Sequence, residues 1–372
     1  MSSNIMKNRF FQRLIDFIAP FHHGGKASAA GILSLTICFL ALLKPLEACS
    51  QSQTTVPDQA PHLAMPVDES RARIQPPESA REIILAVKHG PSEYITAWWW
   101  PAKIRPGAGP GEKSPAIILL HGCGGMLNRQ GLPDQRMQRY AAWLGEQHWH
   151  VLALDSFSSR GVREICRRPR GEPAVVTQTL RRADLAAAVS WLITHDAVDK
   201  GRLALIGWSN GGSTVLEYTH HQETRALKAL YPGLRAAAAF YPGCDYRERN
   251  GYQPEMPVLL LLGLSDDWTP PEPCLKLASS LVEIKAWKSA YHGFDGTAPL
   301  RFRTDIRTGT NPEGVHQGAN RQAGDEARLS LMHFLERHLA NHQPERTCCH
   351  AGEALRAQPS HRPPNHGLLR HE

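Results

Sequence analysis

The sequence predicts an α/β fold in which a mostly parallel central sheet carries helices on both faces. Two patterns carry that prediction. From residue 116 to about residue 340, short apolar runs such as 116–120, 203–206 and 257–263 alternate with longer segments of helical period, such as 175–194. A strand buried on both faces loses the alternation of a half-exposed one, and strand–helix repetition builds a covered parallel sheet. Several apolar runs also stop in short turns holding Ser, Asp or His, as expected where loops at one rim of a sheet carry chemistry. With 372 residues the chain can bury a large core, and one domain over 81–342 accounts for the alternation better than two.

In chain order, Lys7, Arg9, Arg13 and Lys26 precede an uncharged apolar run over 27–43, after which Leu46-Glu47-Ala48-Cys49 leads into polar, proline-bearing sequence. This is the form of an export segment over 1–49. Three outcomes stay open: cleavage with release to the periplasm, an uncleaved anchor, since the run is at the lower limit for a spanning helix, or lipidation of Cys49, because Leu-Glu-Ala-Cys resembles a bacterial lipoprotein signal. Membrane attachment would therefore run through the N-terminal segment or a lipidated Cys49. Residues 50–80 are rich in Pro, Gln and Ser and have no apolar period, which predicts a linker.

Segments 82–89 and 93–100, split by Gly90-Pro91-Ser92, predict an antiparallel hairpin. Strand alternation divides Trp98, Trp99 and Trp100 between two faces, so packing with one exposed edge is favoured over a substrate platform. A Gly/Pro loop over 104–115 precedes the strand at 116–120, which ends in His121-Gly122-Cys123-Gly124-Gly125. Glycines straight after a strand allow close backbone approach and can aim amide N–H groups into a pocket. A helix carrying Met137, Tyr140, Ala141 and Leu144 follows, then a strand at 150–154 closed by Asp155-Ser-Phe and Arg160-Gly161, a basic loop over 162–173, and a helix over 175–194. Further strands are predicted at 203–206, 236–241, 257–263 and 282–287, and a closing helix at 325–339. Residues 343–372 are polar, with His and Pro, and predict a disordered tail.

Composition excludes one partner class. The formal charge is +7, but residues 1–48 hold five Lys/Arg against two Asp/Glu and residues 343–372 hold four against three, leaving +3 for the middle. No Lys/Arg stripe with interleaved aromatics marks a nucleic-acid surface. Of eight cysteines, Cys123, Cys166, Cys244 and Cys274 lie in the predicted domain. In an oxidising compartment one or two disulfides are expected among these four, with connectivity that spacing does not decide. No pair has zinc-site spacing, and Cys348-Cys349-His350 in the polar tail reads as incidental. Neither a metal nor another cofactor is expected.

The candidate chemistry centres on Gly207-Trp208-Ser209-Asn210-Gly211, between an apolar run of strand length and a segment suited to a helix. A serine on a sharp strand-to-helix turn needs flanking residues without side chains, and this context is what Gly-x-Ser-x-Gly requires of a nucleophile elbow. A serine hydroxyl is a weak nucleophile, so it needs a base in hydrogen-bond reach and a carboxylate to hold that base's tautomer. The strand at 257–263 is followed by Leu264-Ser265-Asp266-Asp267, and that at 282–287 by Tyr291-His292-Gly293. The order Ser, acid, His is that of an α/β-hydrolase triad. Adjacent Asp266 and Asp267 cannot both orient His292; Asp266 is favoured as the acid, with Asp267 capping a helix that begins near Pro271.

Taken together, His121-Gly-Cys-Gly-Gly, Asp155-Ser-Phe with Arg160-Gly161, Gly207-Trp-Ser-Asn-Gly, Tyr241-Pro-Gly-Cys, Gly263-Leu-Ser-Asp266-Asp-Trp-Thr-Pro and Tyr291-His-Gly-Phe-Asp resemble the dienelactone hydrolase family, over most of residues 116–295 and in family order. The resemblance implies the α/β-hydrolase fold, and a triad of Ser209, Asp266 and His292 acting on a small-molecule ester or lactone. It also implies an oxyanion hole built from the backbone amides of Asn210 and Cys123. The members that gave the family its name carry cysteine where this chain carries Ser209, so the expected activity is that of a general carboxylic ester hydrolase. Arg160 either meets a substrate carboxylate or ties its loop to nearby carbonyls, the second being favoured. The alternatives are a prolyl-oligopeptidase-like peptidase, which shares fold and triad order, and a non-catalytic envelope protein that binds ligands on the same scaffold.

Overall fold

A computed structural model of the chain describes residues 80–88, 92–168, 176–221 and 233–340. The predicted export segment with Cys49, the linker up to residue 79, part of the basic loop at 169–175, and the tail lie outside the described residues. All described residues fall within one compact unit, Arg71–Glu372.

Eight strands form the central sheet: β1 (Arg81–Ala86), β2 (Tyr94–Trp100), β3 (Ser114–Leu120), β4 (His150–Asp155), β5 (Val198–Trp208), β6 (Leu234–Phe240), β7 (Val258–Gly263) and β8 (Val282–Trp287). Their spatial order is β1-β2-β4-β3-β5-β6-β7-β8. The first two strands are antiparallel, β2 pairs antiparallel with β4, and every pairing from β4 to β8 is parallel. A mostly parallel sheet of this order with crossover helices is the α/β-hydrolase fold. The helices are α1 (Gln135–Glu146), α2 (Gln178–Leu192), α3 (Asn210–Thr219), two short ones, α4 (Asp245–Arg249) and α5 (Glu272–Leu275), and α6 (Arg321–Leu339).

The apolar runs are buried as their composition requires. Ile118, Leu120 and Leu205 face one layer with Leu185 of α2 and Val215 of α3, while Ile117, Leu119 and Ile206 face the other with Tyr140 of α1 and Phe334 of α6. The tryptophan triplet obeys the same two-residue period: Trp99 joins the first layer, and Trp98 and Trp100 the second. All three are buried, so the expected exposed edge is absent.

Local signals set the helix starts. Asp134 accepts from the Met137 N–H to open α1, Thr177 from Leu180 to open α2, and Asn320 from Ala323 to open α6. The last cap begins the closing helix four residues before the apolar period reveals it. Two three-residue strands, β9 (Arg301–Arg303) and β10 (Val315–Gln317), form a separate ribbon that the sequence pattern did not disclose. Runs that short carry no readable period.

Candidate active site

Strand β5 delivers Ser209 to the sheet's C-terminal rim, and α3 begins at the next residue. Ser209 has φ 52° and ψ −116°, a conformation that costs a non-glycine residue about 1–3 kcal/mol. The turn closes because its flanks carry no side chain: a Cβ on Gly207 would lie 2.2 Å from the Gly211 carbonyl oxygen, and one on Gly211 would lie 2.1 Å from that of Leu120. The hydroxyl is thereby held off the strand, facing the loops after β7 and β8.

Those loops supply Asp266 and His292. His292 Nε2 lies 3.0 Å from Ser209 Oγ, and His292 Nδ1 lies 2.9 Å from Asp266 Oδ2. All three residues are buried. The other Asp266 oxygen accepts from the Trp268 and Thr269 N–H groups, both at 2.9 Å, which fixes the carboxylate's plane. The Thr269 hydroxyl stands 3.0 Å from Asp266 Oδ2 and 3.1 Å from His292 Nδ1. Trp268 and Tyr241 flank the imidazole, with ring centroids 4.4 and 4.6 Å away.

Asp267 points elsewhere. Its carboxylate accepts from the His316 N–H at 2.8 Å and lies 2.7 Å from His316 Nδ1, on β10. The expected helix-capping role is thus corrected: α5 starts at Glu272, after Pro271 at the cap position, with no side-chain cap. β10 in turn reaches the His292 loop, where the Gly318 N–H donates to the His292 carbonyl at 3.1 Å.

The glycine loop after β3 lies against Ser209: a Cβ on Gly122 would lie 3.3 Å from the Trp208 carbonyl oxygen and 3.5 Å from Ser209 Cβ. The His121 ring is fully buried, and burial, followed by the charge of Arg181, pushes its pKa well below the ordinary value. As a neutral imidazole it donates from Nδ1 to the Gly122 carbonyl at 2.7 Å and accepts the Ser156 N–H at Nε2. In a trans peptide, carbonyl and N–H point in opposite directions, so this contact turns the Cys123 N–H away from the His121 ring. The Cys123 and Asn210 backbone N–H groups have no hydrogen-bond partner among the described residues.

Ser209, His292, Gly122 and Cys123 line a cavity of about 470 Å³ whose rim carries Arg129, Arg163, Arg167 and Arg303. Arg160 is not at this rim. It forms a two-pronged pair with Asp184, at 2.6 and 2.9 Å, and donates to the Ser156 carbonyl at 2.6 Å. Its carboxylate partner is internal, which corrects the substrate-binding alternative for this arginine. The four body cysteines pair as Cys123–Cys166, tying the glycine loop to the basic loop, and Cys244–Cys274. Among the described residues no cluster of three His, Cys, Asp or Glu is placed to hold a metal ion.

Three contributors were invisible as roles in the sequence. Thr269 and Asp295 sit inside recognisable motifs, but nothing in the pattern says what they touch, and buried Arg181 occupies a helix whose charges read as a solvent face.

The elbow at the end of β5, the loops after β7 and β8, and the strand order define the chain as an α/β hydrolase. A sequence model of the dienelactone hydrolase family matches residues 106–339, and the chain belongs to that family. The chain is also similar, at low identity, to several solved structures. A provisionally assigned dienelactone hydrolase from Klebsiella pneumoniae subsp. pneumoniae MGH 78578 is 17% identical, covering 69% of this chain and 99% of its own, with a TM-score of 0.48. A dienelactone hydrolase-like promiscuous phosphotriesterase from metagenomic libraries is 16% identical (70% and 99% covered, TM-score 0.48), and the carboxylesterase Cest-2923 from Lactobacillus plantarum WCFS1 is 19% identical (70% and 98%, TM-score 0.47). No protein of curated function matches the sequence.

Proposed function

We propose that the chain is a serine hydrolase that cleaves small carboxylic esters or lactones through an acyl-enzyme. The observation that carries this reading is the continuous relay Asp266–His292–Ser209, with 2.9 and 3.0 Å contacts, opening into a cavity. In the productive tautomer His292 donates Nδ1–H to Asp266, leaving Nε2 to take the Ser209 proton as Oγ attacks the carbonyl carbon. The negative charge on the carbonyl oxygen is met by the unpaired amides of Cys123 and Asn210, in a site that needs no reorganisation when the charge appears. The imidazolium, stabilised by the Asp266 carboxylate, returns the proton to the leaving alkoxide. Water, activated by the same imidazole, then releases the acid and restores Ser209.

The proposal extends to export into an oxidising compartment, either released or held at the membrane by the N-terminal segment or Cys49. Two disulfides within the domain support that location.

Labelling with a fluorophosphonate tests the reading. Ser209 should take the label and short-chain nitrophenyl esters should be cleaved, and Ser209→Ala or His292→Ala should abolish both. A folded protein that takes no label and cleaves no ester would favour a ligand-binding role on the hydrolase scaffold, and cleavage of peptides in place of esters would favour the peptidase reading.

A further inference from the structure

The two amides that face the nascent oxyanion come from chain segments almost ninety residues apart, so something must set their separation. One side chain touches both segments. Arg181, in the first turn of α2, donates from Nη1 to Asn210 Oδ1 at 2.6 Å and from Nη2 to the His121 carbonyl at 2.8 Å. Asn210 bears the amide that follows the nucleophile. The His121 carbonyl opens the glycine loop, in the peptide group immediately before the one that bears the Cys123 N–H.

We propose that Arg181 is a positioning residue for the oxyanion hole, a planar fork that fixes the elbow amide and the glycine-loop amide at one spacing. The inference rests on the serine-hydrolase reading and concerns a side chain that acts through its neighbours and not on the substrate.

The chemistry suits the role. A guanidinium offers donors in a rigid plane, so bonding two acceptors at once fixes their relative position as well as their distances. The His121 carbonyl, held by Arg181, orients the first peptide of the glycine loop. The Gly122 carbonyl, held by the His121 ring, orients the second. With both planes set, the Cys123 N–H direction follows from trans geometry. Asn210 is steadied a second time, because its carbonyl accepts from Thr214 Oγ1 at 3.0 Å and from Gln178 Nε2 at 3.3 Å.

The fork itself is anchored. Arg181 is fully buried, with its guanidinium carbon 5.5 Å from the Phe157 ring centroid. Burial draws its pKa down to about 10, against the opposing influence of the Asp184 and Asp155 carboxylates, so it keeps its charge at neutral pH. Asp184, three residues along α2, is gripped by Arg160, which holds this helix against the turn after β4. A buried charge has a large desolvation cost, and a salt bridge placed purely for stability is commonly replaced without loss by apolar residues. Two neutral acceptors on the two oxyanion arms give this charge a use that stability alone does not.

The test uses the full-length protein with Arg181→Met, which removes the fork, and Arg181→Lys, which keeps the charge but cannot span both acceptors in one plane. Kinetics on a short-chain nitrophenyl ester are paired with the affinity of a trifluoromethyl ketone, whose adduct with Ser209 carries an oxyanion. Both variants should lose about a hundredfold in kcat with KM little changed, and ketone affinity should fall by the same factor as kcat/KM. Asn210→Ala, which leaves the amide but removes one acceptor, should show a smaller loss of the same kind and decides the matter if Arg181→Met does not fold. Folded variants that keep wild-type kcat and ketone affinity while melting at a lower temperature would overturn the inference and leave Arg181 a packing residue. Failure of the wild-type protein to take a fluorophosphonate at Ser209 would instead remove the reading on which it rests.

Discussion

Trp208 donates its indole N–H to the Asp295 carboxylate at 2.9 Å, joining the residue before Ser209 to the residue three beyond His292. The same carboxylate accepts the Tyr241 hydroxyl at 2.6 Å and the Arg136 Nε–H at 3.3 Å. Four segments that sequence keeps apart thus meet on one buried group: the end of β5, the end of β6, the loop after β8 and α1. This group fixes the backbone on both sides of the Ser209–His292 contact without touching either side chain.

Asp295→Ala should therefore cost stability first. It leaves Trp208 and Tyr241 with unpaired buried donors and Arg136 without its carboxylate, and such losses amount to about 3–5 kcal/mol. Urea unfolding at pH 7 measures it. Molecules that stay folded should also show a reduced kcat, because the His292 loop is no longer tied to the elbow.

The adjacent aspartates should separate cleanly. Asp266→Asn keeps a side chain of the same shape but removes the charge that stabilises the imidazolium and selects its tautomer, so kcat should fall by about 10⁴ with little change in melting temperature. Asp267→Ala loses its two contacts with His316, worth about 1–2 kcal/mol together, and should change kcat far less. Ester kinetics and thermal melts on the two variants distinguish the roles; equal effects on kcat would contradict them.

What could be foreseen divides along the range of each interaction. Ser209, Asp266 and His292 were legible because each needs a local signature, a glycine elbow or a short turn after an apolar run, and because their order along the chain is itself a constraint. The preference for Asp266 over Asp267 was legible only as a preference, since two neighbours on one turn share every local signal and β10, which claims Asp267, is too short to show a period. Arg181 was illegible for a different reason. On a helix surface an arginine normally faces water, and its burial here follows from Asn210 and the His121 carbonyl, partners that sequence places 29 and 60 residues away.

The Cys123–Cys166 bridge closes a loop across 43 residues and ties the glycine loop at Cys123, two residues beyond the His121 carbonyl that Arg181 holds. Replacing both cysteines by serine should lower stability by about 2–4 kcal/mol through the entropy returned to the unfolded chain. It should also lower kcat, since the Ile165 N–H to Cys123 carbonyl contact at 2.8 Å would be the hydrogen bond left between the two loops among the described residues. The Cys244→Ser, Cys274→Ser protein is the control: it loses a bridge between the start of α4 and α5, neither of which carries the glycine loop, so its stability should fall while its oxyanion loop stays in place. Melting curves and kcat for the two double variants, with and without dithiothreitol, check both statements.

Buried neutral histidines should make the fold sensitive to mild acid. His150 accepts the Ala102 N–H at Nδ1, 2.7 Å away, so it must donate from Nε2 to the Ala197 carbonyl at 3.0 Å and has no site left for a second proton. Burial, assisted by the nearby His195, draws its pKa from 6.5 to about 4, against the favourable contact with Ala197. The folded-state value is depressed, so above pH 6.5 neither the folded nor the unfolded form carries this proton and stability is unaffected. Between pH 6.5 and about 4 the unfolded chain binds the proton and the folded one does not, and stability must fall as the pH falls. Over that window the loss from His150 is at most about 3 kcal/mol. His121, likewise buried and drawn down, acts in the same direction. Urea midpoints measured from pH 7.5 to 4.5 should decline, and His150→Gln should reduce the slope by up to one proton; an unchanged slope would mean that the ring takes up its proton over the same pH range in the folded and unfolded chains, which would contradict a depressed folded-state value.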